Sequence, residues 1–250
     1  MNVDIMPGSE PLSFDGSDRG VLVLHGFTGN PSSMRSLAER AAAAGYSVEL
    51  PRLPGHGTTL QDMMTTTWDD WSGAALDAYD ELAARCERVA IVGLSMGGGL
   101  TAFIAEQRPF VAGCVFINPA VKALDPEIEQ ALHEMLASGA ETFDSIGSDI
   151  KKEGVVEAGY DATPVRCLIS LNVGGRDVES KLSDIVAPSL LISSREDHVV
   201  TSDNGDAIVE RSSGPVERIW LEDSWHVATM DNDQELVESA TMEFLAKVLA

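Results

Sequence analysis

The chain has 250 residues, 44% of them hydrophobic, a length and composition that support one sizeable core in a single domain with room for an inserted subdomain. Forty acidic residues against 17 basic ones leave a formal charge of −23, spread along the chain, so nucleic acid and anionic lipid surfaces are excluded as expected partners. Cys86, Cys114 and Cys167 are odd in number and lack CxxC spacing, which argues against a disulfide framework or a zinc site and for three small buried hydrophobes.

The stretch Met1 to Asp18 is acidic and lacks a basic start followed by an apolar core. No apolar run approaches the roughly 18 residues of a membrane span, so a cytoplasmic protein without stable membrane insertion is expected. Short apolar runs then recur: Gly20 to Leu24, Tyr46 to Leu50, Arg88 to Val92, Gly113 to Ile117, Pro188 to Ser193 and Glu217 to Leu221. Continuous rather than alternating apolarity suits strands covered on both faces, as in a parallel sheet. Helical patterns lie between them. Asn30-Pro31 opens one that runs from Ser32 to Ala44 and stops at Gly45. Asp69 to Arg85 is amphipathic, with Trp71, Ala75 and Leu82 on one face, and Val237, Ala240, Phe244 and Val248 repeat at helical spacing near the end. The βαβα order predicts a mostly parallel sheet with helices on both faces.

Between Asn118 and Val186 the rhythm breaks. Leu124, Ile128, Leu132 and Leu136 follow at i+4 steps around Asp125-Pro126, predicting a short helix stopped by Ser138-Gly139, and a second helix is expected from Ser148 to Tyr160. Residues 121–180 therefore read as a helical insertion over the sheet, with 1–120 and 181–250 forming the core.

Gly93-Leu94-Ser95-Met96-Gly97 is a G-x-S-x-G pentapeptide lying directly after a predicted strand and before a helical stretch through Gln107. Its glycines permit the sharp strand-to-helix turn that projects a serine hydroxyl from the top of a sheet. A serine needs a base, and the base needs a group that fixes its tautomer. Among five histidines, His133 falls on the inserted helix, His56 in the tight turn Pro54-Gly55-His56-Gly57, His25 at a loop-shaping position, and His198 too close to Asp197 to be oriented by it. His226, just past the last predicted strand, remains. Asp197 ends the preceding strand, with Glu196 as the alternative acid, and the order Ser95, Asp197, His226 places each beyond a strand's carboxyl end, where open α/β sheets build their sites. The backbone N–H groups of Met96 and Phe27 are the candidate oxyanion donors.

With those residues in hand the sequence resembles the bacterial monoacylglycerol lipases and carboxylesterases of the α/β-hydrolase superfamily, over nearly the whole chain. The resemblance is carried by His25-Gly26-Phe27-Thr28-Gly29-Asn30-Pro31, Gly55-His56-Gly57, Gly93 to Gly98, Asp144 to Asp149, Glu196 to Val200 and Trp225 to Thr229. It implies an α/β-hydrolase fold with a small helical cap and hydrolysis of a carboxylic ester, most closely a monoacylglycerol, through an acyl-enzyme on Ser95. It also implies a substrate site in which Ile146 gates a head-group pocket and Glu157 accepts hydrogen bonds from glycerol hydroxyls. No cofactor or metal is expected, the partner is a small lipid ester, and the chain is expected to be a monomer or weak homodimer. Trp225 stands where Tyr or Gly is more usual, an exchange expected to narrow the pocket. The same three residues also serve C–C bond hydrolases and cofactor-free haloperoxidases, and a non-catalytic receptor is a further class that an intact triad argues against.

Overall fold

In the computed structural model, which describes residues 4–145 and 147–250, strand formation follows the apolar runs closely. The elements are β1 (Leu12–Phe14), β2 (Arg19–Leu24), α1 (Arg35–Ala43), β3 (Ser47–Leu50), α2 (Leu60–Met63), α3 (Trp68–Ala83), β4 (Arg88–Leu94), α4 (Met96–Gln107) and β5 (Gly113–Ile117). There follow α5 (Pro126–Ala137), β6 (Thr142–Asp144), β7 (Ala162–Pro164), α6 (Val165–Lys181), β8 (Ser189–Ser194), α7 (Asp203–Arg211), β9 (Val216–Leu221) and α8 (Gln234–Val248). The main sheet has seven strands in the order β1-β3-β2-β4-β5-β8-β9, parallel throughout except for β1. β1 is short and largely exposed, which is why no apolar run announces it.

Register places the chemistry. Leu24 pairs with Gly93, Leu94 with Ile117, and Ser194 with Leu221, so β2, β4, β5, β8 and β9 all end along one edge of the sheet. The loops carrying Phe27, Ser95, Asp197 and His226 leave that edge together, as expected for a parallel sheet in which every strand points the same way. Below the edge, β2, β4 and β5 bury nearly all of their side chains between two helical layers, and Trp71, Ala75 and Leu82 of α3 are fully buried on one of them.

The segment between β5 and β8 departs from expectation: β6, β7 and α6 were not expected, and one helix that was expected does not form. α5 forms as predicted, but Ser148 to Tyr160 is not a helix: apart from a tight turn at Gly154, whose φ is +78°, it runs as an irregular strap. Its backbone finds side-chain partners, mostly outside the strap, which removes the need for helical hydrogen bonds. Lys151 and Lys152 N–H donate to Asp231, Glu157 N–H donates to Ser148 Oγ, and Ala158 C=O accepts from Asn30. A hairpin of β6 and β7 frames the strap, and α6 then returns to the core, packing on α3 and α4.

Candidate active site

Ser95 sits between β4 and α4 at φ +56°, ψ −119°, a conformation L-residues rarely adopt and one that costs about 1–3 kcal/mol. The flanking glycines make it possible. A Cβ on Gly93 would lie 2.0 Å from Gly97 O, and one on Gly97 would lie 2.2 Å from Leu24 O, so neither position admits a side chain. The same crowding presses the loop after β2 onto the start of α4, bringing the Phe27 and Met96 backbones to the same corner as Ser95. Among the described residues neither of those two N–H groups donates to a backbone carbonyl, as donors reserved for a ligand must not.

His226 and Asp197 meet directly: Nδ1 lies 2.8 Å from Asp197 Oδ2, with both side chains less than a tenth exposed. Asp197 is itself held, its other oxygen accepting from the N–H groups of Val199 (2.9 Å) and Val200 (2.8 Å). Glu196 is turned away, pairing with Lys151 at 3.2 Å on an open surface. Ser95 and His226 line one cavity without a hydrogen bond between them, a separation common before substrate binds.

The other histidines have separate occupations. His133 is exposed on α5. His25 accepts from Leu53 N–H, and His56 packs edge-on against Trp71; burial lowers their pKa values to about 3 and about 4 respectively, so both rings are neutral structural parts. His198 pairs with Asp149, 2.8 Å from Nδ1, rather than with its neighbour Asp197. The ring of Trp225 meets His198 edge to face and its N–H reaches Glu196, so this residue faces away from the cavity it was expected to narrow.

The cavity over Ser95 encloses about 200 Å³. Leu124, Phe143, Leu168, Leu171 and Val199 give it an apolar lining, while Thr28, Ser145 and Glu157 line both it and an adjoining, more polar pocket. Glu157 thus lines the cavity that holds Ser95 as well as its polar neighbour. Burial raises its carboxyl pKa, opposed by a nearby Ser33 hydroxyl and by the charge of His226. Ile146 falls outside the described residues. Among those described, no group of three or more His, Cys, Asp or Glu side chains converges as a metal site would need.

A family model described as "Alpha/beta hydrolase family" matches residues 21–239. The chain belongs to the alpha/beta hydrolase family. Within it, this alpha/beta hydrolase is 43% identical to a thermostable monoacylglycerol lipase of Bacillus sp. (strain H-257), over 97% of this chain and 96% of that one. It is 28% identical to a carboxylesterase of Bacillus subtilis (strain 168), over 96% and 97%. Among solved structures it resembles one reported with LipS and LipT, two metagenome-derived lipolytic enzymes, at 45% identity and a TM-score of 0.93, covering 98% of this chain and all of that one.

What sequence reasoning missed is a set of residues that hold the base. Asn118, at φ +41°, donates from Nδ2 to His226 C=O (2.8 Å) while its Oδ1 accepts from Ser194 N–H (2.7 Å). Asp149 and Asp231 accept backbone N–H groups of the same loop. Buried Asp and Asn among backbone donors carry no pattern in a single sequence; only the left-handed Asn118, ending a strand, could have been suspected.

Proposed function

We propose that this alpha/beta hydrolase is a serine ester hydrolase whose preferred substrate is a monoacylglycerol. Ser95 attacks the ester carbonyl as His226 Nε2 takes its proton, Asp197 fixes the histidine tautomer, and the Phe27 and Met96 N–H groups hold the oxyanion. The alcohol leaves with the proton from His226, and a water activated by the same ring releases the fatty acid. The reaction as written uses no metal or organic cofactor.

The observation that carries the substrate reading is the lining of the cavity over Ser95. The apolar lining suits one acyl chain, and a half-buried carboxylate shared with the adjoining polar pocket suits hydroxyls that donate to it. A diacylglycerol would place a second acyl chain against Glu157, stripping water from a carboxylate that could not be paired. The 43% identical relative that is a monoacylglycerol lipase supports the same choice. Residues 121–180 act in this reading as the cap, with Ile146 as its gate.

No helix among the described residues is long and apolar enough to cross a membrane. The charge of −23 disfavours tight self-association, in keeping with a monomer or weak homodimer. Three buried thiols fit a reducing compartment such as the cytoplasm.

The test is the specificity constant for glycerol release from a medium-chain monoacylglycerol, beside the matching diacylglycerol and a short nitrophenyl ester. The reading requires the monoacylglycerol to be preferred and all three activities to vanish in Ser95→Ala. A better rate on the diacylglycerol would remove the head-group assignment while leaving ester hydrolysis in place.

A further inference from the structure

We propose that Asp149, supplied by the inserted segment, is a positioning residue for the catalytic base: its one carboxylate ties the backbone of His226 to the backbone that carries Asp197. The inference rests on the assignment of Ser95, His226 and Asp197 above.

Asp149 Oδ2 accepts from His226 N–H at 3.0 Å and from His198 N–H at 3.2 Å, and Oδ1 accepts from His198 Nδ1 at 2.8 Å. His198 is the residue after Asp197. The carboxylate thus bridges the loops after β8 and β9 at the two points where the acid and the base leave the main chain. Its own backbone C=O accepts from Val227 N–H at 3.1 Å. With Asn118 holding the His226 carbonyl, both backbone polar groups of His226 are held.

The clamp is reciprocal. Asp231, fully buried, comes from the histidine loop's side and accepts from Lys151 and Lys152 of the strap as well as from Trp225 N–H, each at 2.8 Å. Each segment therefore sends one carboxylate into the other's backbone donors. Charge-assisted bonds of this kind are short and directional, and they set the separation of the loops they join. The buried Asp149 is thus bonded both to the His226 backbone and to the residue that follows Asp197.

The test compares Asp149→Ala, Asp149→Asn, His198→Ala and Ser95→Ala on a soluble nitrophenyl ester, after circular dichroism shows each to be folded. An error of about 1 Å in a catalytic group can slow the chemical step by about 100-fold. Asp149→Ala is accordingly expected to lower kcat by about 10- to 100-fold while KM stays within about twofold. It should also weaken or abolish the low-field proton resonance expected of His226 Nδ1–H in the wild type, where Nδ1 lies 2.8 Å from Asp197. An asparagine can turn its carbonyl oxygen to both N–H groups and its amide toward Nδ1 of a tautomerised His198, so Asp149→Asn is expected to recover kcat to within about threefold. His198→Ala leaves both backbone bonds and should be near wild type.

Where the alanine variant does not fold, Asp149→Ser, whose shorter side chain cannot span two N–H groups, replaces it with the same expectation. Loss of rate through KM alone, an unchanged low-field resonance, an asparagine variant as slow as alanine or serine, or an equal loss in His198→Ala overturns the proposal. Activity surviving in Ser95→Ala would instead remove the triad assignment beneath it.

Discussion

At Ser95 the backbone is bent into a conformation that a glycine would adopt freely. Removing the hydroxyl and removing the strain are therefore separable. Ser95→Ala and Ser95→Gly should both be inactive, but the glycine variant should be the more stable by about 1 kcal/mol or more in denaturant titration. Equal stabilities would mean that the turn stores no strain. Glu157 makes a second prediction at this scale. Glu157→Gln should raise KM for a monoacylglycerol about tenfold, the value of one charged hydrogen bond, and leave a short nitrophenyl ester nearly untouched. Because burial raises this carboxyl's pKa, the ionised form is disfavoured by folding, so the amide variant should be slightly more stable at neutral pH in a thermal melt. The three side chains proposed to react were legible as candidates because each follows a strand and the pentapeptide has a steric cause that spacing reveals. Asn118, Asp149 and Asp231 were not, since they act on backbone groups and their partners lie 49 to 108 residues away or in an adjoining turn whose shape no pattern shows.

Elements with an apolar period were readable, and those whose order comes from elsewhere were not. The six core strands and α3, α5 and α8 lie close to their predicted bounds. α6 was missed because Asn172, Gly174 and Gly175 depress helix propensity, each glycine by about 1 kcal/mol relative to alanine. Packing reverses the sign: a Cβ on Gly174 would lie 2.1 Å from the Trp68 indole, and one on Gly175 2.8 Å from Lys122 O. Gly174→Ala, which helps an isolated helix, should therefore destabilise the protein by about 1–3 kcal/mol, measured by urea unfolding, as overpacking does. A stabilising effect would show that α6 sits loosely on α3. The strap from Ser148 to Tyr160 was misread as helix for the opposite reason. Its order is polar and tertiary, ending in the Tyr160 hydroxyl, which donates to Gly55 O at 2.5 Å.

Across the whole molecule, the parallel sheet gathers the site and the buried histidines set its acid limit. His25 and His56 are neutral in the fold, with pKa values near 3 and 4 against 6.5 when unfolded. Protons therefore bind the unfolded chain first as pH falls. Their contribution is complete above pH 6.5 and is lost progressively toward pH 4, at about 1.4 kcal/mol per pH unit for each ring. The two rings should thus remove several kcal/mol between pH 7 and pH 5, opposed by Glu106, whose burial raises its carboxyl pKa to about 8, and by Glu157, raised for the same reason. Urea titrations of a variant carrying Glu106→Gln and Glu157→Gln should show the drop in full, and a flat profile there would contradict the burial of either ring. The central claim is covalent chemistry at one serine, and intact mass measurement of protein quenched during turnover of a nitrophenyl ester tests it most directly. The account predicts an acyl adduct on the peptide carrying Ser95, absent in Ser95→Ala and accumulating when His226 is replaced only at a far slower rate. Turnover by Ser95→Ala, or an adduct on another residue, would contradict it.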